Sequence, residues 1–259
     1  MFLNDFAPDF DWSGLGNFGG KIDPNDSFSK NAPIINFTGL GSGLGGELDN
    51  NSSTVIHFNK MGYKNQDHYV LRWTRPVTLD PRSILEGARK EYVLKARKFI
   101  EALLAYTGAE CVNIIAFSYG NIVAGAAIKG GTYPNIAGEN YYVGPPITDK
   151  ICNYLGIGSP HSGAGTAQLL GEVSDATNDH IGVEPGSEFL INLEANPALL
   201  ARQGGKIGSI RSSNNDLFIG PGWSRPFRGN THDWDMDLPH FKLIHQTTDL
   251  QYRFFHGMN

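Results

Sequence analysis

Ser118 stands in the pentapeptide Ala116-Phe117-Ser118-Tyr119-Gly120. The apolar run Cys111-Val112-Asn113-Ile114-Ile115 precedes it, and the small-residue run Asn121-Ile122-Val123-Ala124-Gly125-Ala126-Ala127 follows. The pattern predicts a short buried strand, a sharp turn centred on the serine, and a helix packed closely behind it. Such a turn needs small residues two places either side of the serine, because strand and helix nearly touch there. Ala116 and Gly120 fill those places. A serine hydroxyl is a poor nucleophile until an imidazole takes its proton, and the imidazole needs a carboxylate to hold its tautomer.

When the serine occupies a strand–turn–helix elbow, these parts follow in the chain order Ser, Asp or Glu, His, each at the carboxyl end of a strand. Residues 206–212 read as a strand, and Ser213-Asn214-Asn215-Asp216 places an acid in the loop just past it. His240, in Leu238-Pro239-His240, stands immediately before the amphipathic run that opens with Phe241. Asp216 and His240 are therefore the expected partners of Ser118. The rival acids Asp233, Asp235 and Asp237 lie close to the histidine and show no preceding strand. His245 falls one helical turn past His240, inside the helix. His161 follows a strand but precedes every candidate acid, and it reads as a residue bracing a loop.

Negative charge developing on the substrate oxygen needs two backbone N–H donors. Tyr119, the residue after the nucleophile, supplies one. The turn Thr38-Gly39-Leu40 that follows the first core strand makes Leu40 the second. The glycine-dense segment 39–46 lacks a following G-K-[ST] and an acid at dinucleotide spacing, so a phosphate cradle is disfavoured. The segment His232-Asp233-Trp234-Asp235-Met236-Asp237 offers oxygens at alternate positions. It lacks the glycine and terminal glutamate of a calcium loop and reads as a solvated acidic loop. The apolar loop 217–223, with Phe227, either packs as core or lines an acyl pocket.

The elements that must position these residues alternate between strand and helix. Residues 33–37 predict a buried strand, 55–61 a short helix closed by Gly62, and 69–73 a strand. Asp80-Pro81 and the Ser83/Glu86 pair are helix-start signals for a long helix reaching about Tyr106, with Gly108 as its stop. Strand 111–117, the elbow and its helix come next, then strands at 151–157 and 206–212 and a closing helix over 241–255. The alternation predicts an α/β fold, a mostly parallel sheet covered by helices on both faces, in a single domain spanning 1–259. Residues 1–30 form an N-terminal extension, with Phe2, Phe6 and Phe10 at helical spacing to pack on the body. Residues 163–205, rich in Gly, Pro and Asn, read as an insertion near the active-site edge.

The 259 residues, 40% hydrophobic and 18% charged, suffice for one full core. A net charge of -5 without a large Lys/Arg cluster argues against nucleic acid as a partner. No stretch approaches the roughly 20 apolar residues of a membrane span. Cys111 and Cys152 are too few for a disulfide framework and read as two small buried hydrophobes. Sequons start at Asn25, Asn36, Asn50 and Asn51, Asn36 within a predicted buried strand. The start of the chain lacks a basic region and a continuous apolar core, as a cytoplasmic protein or a mature chain freed of its signal peptide would. Secretion is the expectation adopted.

With these residues in place, the chain resembles the class 2 lipases, compact α/β-hydrolases, from about residue 33 to 252. The likeness is most specific at Tyr92-Val93-Leu94, Phe99-Ile100, Ala105-Tyr106-Thr107-Gly108, Val112-Asn113-Ile114 and Phe117-Ser118-Tyr119-Gly120. Gly144-Pro145-Pro146-Ile147-Thr148 and the spacing from His240 to Gln251-Tyr252 add to it. The resemblance implies a cofactor-free carboxylic ester hydrolase with Ser118, Asp216 and His240 as triad; the expected partner is a small-molecule or lipid ester, with a lipid interface as a candidate contact, and no metal ligands are assigned. Thr38 departs from that pattern, standing where the oxyanion turn usually carries histidine. A thioesterase, acyltransferase or polyester depolymerase would use the same triad. A silent, lipid-binding relative is the reading from another class, and the intact Ser, Asp and His speak against it.

Overall fold

The computed structural model describes residues 2–10, 12, 18–23, 25–28, 30–39, 53–73, 89–135, 138–165 and 182–258. The elements are α1 (Phe2–Phe6), β1 (Phe18–Gly19), β2 (Ile34–Phe37), α2 (Ser53–Lys60), β3 (His68–Leu71), α3 (Lys90–Thr107), β4 (Val112–Phe117) and α4 (Gly120–Lys129). Then follow β5 (Gly131–Asn135), β6 (Gly138–Gly144), β7 (Ile151–Ile157), α5 (Glu188–Ala195), β8 (Ile207–Arg211), β9 (His232–Asp235), α6 (His240–Gln246) and α7 (Thr248–His256). Among the described residues, seven strands form one sheet in the order β1-β3-β2-β4-β7-β8-β9. Only β1 runs antiparallel to its neighbour. Parallel neighbours put their carboxyl ends on one edge, so every loop that leaves such an end meets the others there.

Period-two alternation divides the core between the sheet's faces. Ile35, Phe37, Ile114 and Ala116 pack with α3 and α4 on one side. Ile34, Ile115, Phe117, Leu155, Ile157 and Ile210 pack with Phe58, Leu243, Ile244, Tyr252 and Phe254 on the other. Strands buried on both faces read as continuous apolar runs, which is why β2, β4 and β7 were legible. The sheet with helices on both faces is an α/β-hydrolase architecture.

At the N-terminal segment, the Trp12 indole N–H donates to Ala7 O (2.8 Å), and its ring lies 6.1 Å from that of Phe99. The helix-start signals at 80–86 fall outside the described residues. The long helix does not run from those signals as expected: α3 begins at Lys90, because Arg89 before it is extended (φ -66, ψ 149), and it ends where Gly108 adopts φ 68 and its N–H returns to Leu104 O. Of the stretch 163–205, residues 166–181 also lie outside the description. Its described part includes α5, whose Phe189 stacks on Tyr133 (4.8 Å) of the hairpin formed by β5 and β6.

Three further expectations are corrected. Cys111 and Cys152 are not separate buried hydrophobes: they are joined as a disulfide, Cα–Cα 5.3 Å. The pairing follows from sheet order, because β4 and β7 are neighbours and both cysteines stand at their amino ends. The segment 232–237 is no loop, since its first four residues form the edge strand β9 beside β8. The closing helix is two helices, α6 and α7, meeting at Thr247, whose hydroxyl donates back to Leu243 O (2.5 Å).

Candidate active site

Ser118 lies between β4 and α4 with φ 51, the one non-glycine at positive φ among the described residues. A serine in that region costs roughly 1–2 kcal/mol. Asn121 is part of what holds it there: Nδ2 donates to Ser118 O (2.9 Å) and Ala116 O (3.0 Å), while Oδ1 accepts from Tyr154 Oη (3.0 Å). Ser118 N donates to Ile157 O (2.8 Å), tying the elbow to β7. Gly120 is sterically required, because a Cβ there would fall 2.5 Å from Thr38 O and 2.7 Å from Phe37 O.

His240 opens α6, and its Nε2 lies 2.8 Å from Ser118 Oγ. Its Nδ1 lies 2.7 Å from Asp216 Oδ2. Asp216 is 1% exposed and His240 4%. The second carboxylate oxygen of Asp216 accepts from the backbone N–H of Phe218 and Ile219, both at 3.0 Å. Both oxygens are thus committed, which fixes the carboxylate's rotation and so the imidazole's. Gly158, at the end of β7 with φ 53, makes room for that ring: a Cβ would lie 3.0 Å from His240 Cε1. Phe117 flanks the imidazole at 4.9 Å and Phe218 at 5.3 Å. The arrangement can pass a proton from the serine hydroxyl to the imidazole, with a carboxylate on the far nitrogen to stabilise the cation.

The structure therefore brings Ser118, Asp216 and His240 into one hydrogen-bonded line. Tyr119 is buried at the first turn of α4, beside the serine. Leu40 lies outside the described residues. Thr38 and Gly39 are described, and a Cβ on Gly39 would meet Ser118 Cβ at 3.2 Å, so this turn lies against the elbow. His245 is in α6, its Nδ1 2.9 Å from Ser53 Oγ. His161 is buried, 3.1 Å from Ser159 Oγ and stacked on Phe227 at 4.3 Å, where burial lowers its pKa to about 4. The loop after Asp216 divides: Ile219 and Phe227 are core, while Leu217 and Phe218 are exposed.

Asp233 and Asp235 lie outside this hydrogen-bonded line and are not a free acidic cluster. Arg211 donates from Nε and Nη2 to the two oxygens of Asp233 (2.8 Å each) and from Nη1 to Asp235 Oδ2 (2.9 Å). Asp235 Oδ1 in turn accepts from Ser213 N (2.8 Å), three residues before Asp216. Among the described residues, no three His, Cys, Asp or Glu side chains converge as a metal site, and no helix is long and apolar enough to cross a membrane. Sequence reasoning passed over Asn121 and Gly158. The available signal was an amide three residues after the serine, and a glycine ending the neighbouring strand.

A family model described as "Lipase (class 2)" matches residues 31–253. No protein of curated function matches the sequence significantly. Among solved structures, the mature form of Bacillus licheniformis lipase BlEst2 is 16% identical, with TM-score 0.56 over 91% of this chain and 95% of that one. Pyrococcus furiosus esterase Pf2001 is 13% identical, with TM-score 0.52 over 94% and 91%. Aspergillus fumigatus lipase B is 14% identical, with TM-score 0.53 over 86% of this chain and 52% of that one. At such identities the structural likeness speaks to the fold.

Proposed function

The chain belongs to the class 2 lipase family and is a carboxylic ester hydrolase, and from that premise we propose that Ser118, Asp216 and His240 are its catalytic triad, working through an acyl-enzyme. The observation that carries this is the unbroken relay Ser118 Oγ–His240 Nε2 (2.8 Å) and His240 Nδ1–Asp216 Oδ2 (2.7 Å), ending on the strained serine. His240 Nε2 accepts the hydroxyl proton as Ser118 Oγ adds to the ester carbonyl. Asp216 holds the tautomer and stabilises the imidazolium. The backbone N–H groups of Tyr119 and Leu40 receive the oxyanion, each such donor contributing about 3 kcal/mol. His240 then protonates the leaving alcohol, and water, deprotonated by the same nitrogen, releases the acid.

The proposed substrate is an ester of an aliphatic acid, including lipid esters met at an interface. Leu217, Phe218 and Phe241 support this: they are 73%, 49% and 45% exposed. Phe218 and Phe241 touch each other at 5.1 Å and flank His240. Solvent-facing apolar side chains beside a reacting centre favour an apolar acyl chain. Export is the proposed destination, supported by the disulfide, since such bonds persist in oxidising compartments.

Ser118→Ala tests the mechanism. Turnover of p-nitrophenyl esters should fall at least about 10⁴-fold with the circular dichroism spectrum unchanged, and a fluorophosphonate should label wild-type protein on the Ser118 peptide alone. Activity retained in Ser118→Ala, or a label mapping elsewhere, refutes it. A parallel thioester panel separates ester from thioester preference.

A further inference from the structure

Trp73 follows β3 by two residues, is 1% exposed, and takes no part in the relay described above. Its indole N–H donates to Thr38 O at 2.7 Å. Its ring stacks on that of Tyr119, 5.4 Å between centroids and 26° between planes. One side chain thus touches both segments to which the oxyanion donors are assigned: the turn leaving β2 and the residue after the nucleophile. Tyr92, on α3, packs edge-on against the indole at 5.5 Å, so the ring is itself held by the long helix.

The Thr38 carbonyl has little freedom. The indole N–H reaches it, and the first turn of α4 lies so close that Gly120 cannot carry a Cβ (2.5 Å). Beyond it, Gly39 rests on Phe117 and Ser118, where a Cβ would meet each at 3.2 Å. Turning the 38–39 peptide plane therefore moves the turn against the nucleophile. A buried N–H···O=C bond sets a carbonyl's direction, and the Gly39 N–H on the other side of the same plane must follow, the peptide directly before the assigned donor Leu40. The position matters because this chain has Thr38 where the family pattern supports the turn with histidine, and among the described residues Thr38 Oγ1 makes only a long contact to Leu71 O (3.5 Å).

We propose that Trp73 is a positioning residue for the oxyanion site, its N–H fixing the Thr38–Gly39 peptide while its ring fixes Tyr119, so that the two halves keep their spacing. This inference rests on Ser118 being the nucleophile. It assigns Trp73 no contact with substrate.

Trp73→Phe keeps an aromatic ring and removes the N–H. The expected result is a kcat for a p-nitrophenyl ester lowered about 10- to 100-fold, the range for displaced but present catalytic groups. KM should stay within about twofold, and the pH profile of kcat should not move. The affinity of an alkyl boronic acid, which forms a tetrahedral adduct on the serine, should fall in parallel with kcat. A kcat within about twofold of wild type overturns the proposal. So does a fall in kcat with boronate affinity unchanged, or one matched by a rise in KM, because either marks a merely structural loss. Should Trp73→Phe not fold, benzothienylalanine at position 73, which keeps the bicyclic ring and exchanges N–H for sulfur, decides by the same readings. Ser118→Ala keeps the two ideas apart. Activity surviving there removes the nucleophile assignment, whereas activity lost there and undiminished in Trp73→Phe removes only the role of Trp73.

Discussion

Replacing both Cys111 and Cys152 by alanine should destabilise the protein by about 4 kcal/mol without affecting its chemistry. The bond closes a loop of sequence separation 41. Cross-linking restricts the unfolded chain, and the stabilisation runs from about 3 kcal/mol for 15 residues to about 4.7 for 100, which places this loop near 4. For a chain of this size each kcal/mol moves the melting temperature by roughly 2–4 °C, so a fall of about 8–16 °C is expected. Activity should hold at 25 °C. The cysteines stand at the amino ends of β4 and β7, and Ser118 lies seven residues along from Cys111, about 20 Å away at the strand rise. The same cysteines line a cavity of about 410 Å³ with Lys30, Glu110 and Arg202, so a small thiol can reach the bond. Reduction and alkylation of wild-type protein should therefore reproduce the loss without any side-chain deletion. Thermal melts by circular dichroism, run beside p-nitrophenyl ester assays, measure both halves. A melting temperature lowered by less than about 2 °C, or free thiols titrating in the untreated protein, would falsify the reasoning.

Acid should weaken the fold through two buried histidines. Burial lowers both His68 and His161 from 6.5 to about 4. The unfolded chain protonates these rings below pH 6.5 while the folded chain does not, so stability is full above that pH and falls as pH drops from 6.5 towards 4, by about 3 kcal/mol for each ring. Urea titrations at pH 7.5 and 4.5 should show this loss roughly halved in His68→Leu, and equal losses in variant and wild type would refute it. Two glycine replacements on one helix should act in opposite directions. Gly120→Ala would drive a methyl into Thr38 O at 2.5 Å and abolish activity or folding, whereas Gly125→Ala meets only Leu193 and Leu200 beyond 3.5 Å. The latter should stabilise by up to about 1 kcal/mol, helix propensity being the main term, and melting curves of the two variants decide.

What could be read from the chain, and what could not, divides along a physical line. β2, β4 and β7 are buried on both faces, so their sequences are near-continuous apolar runs that announce themselves. The elbow was legible because its steric demand falls on fixed neighbours: Gly120 is small since the Phe37 and Thr38 carbonyls leave no room. The candidate partners were found by chain order, and the fold meets that order by putting the loops after β8 and β9 on one sheet edge with the elbow. β9 was missed because an edge strand needs little apolar content. His232 and Trp234 alternate with Asp233 and Asp235, a period-two pattern that the acidic residues disguised. The two carboxylates look like a solvated cluster until Arg211, on the neighbouring strand, is seen between them.

The disulfide and Trp73 share a different obstacle. Each matters through a contact whose existence depends on strand order, and order is a long-range property that no local window contains. Cys111 and Cys152 pair because β4 and β7 are adjacent, although 41 residues separate them. Trp73 reaches Thr38 because β3 lies beside β2, and Tyr119 because β4 lies on the other side of β2. Read alone, Trp73 is the aromatic end of a strand. In the assembled sheet it spans three consecutive strand ends at the edge where Ser118 emerges, which a local pattern could not have reported and which gives its N–H a consequence for the proposed chemistry.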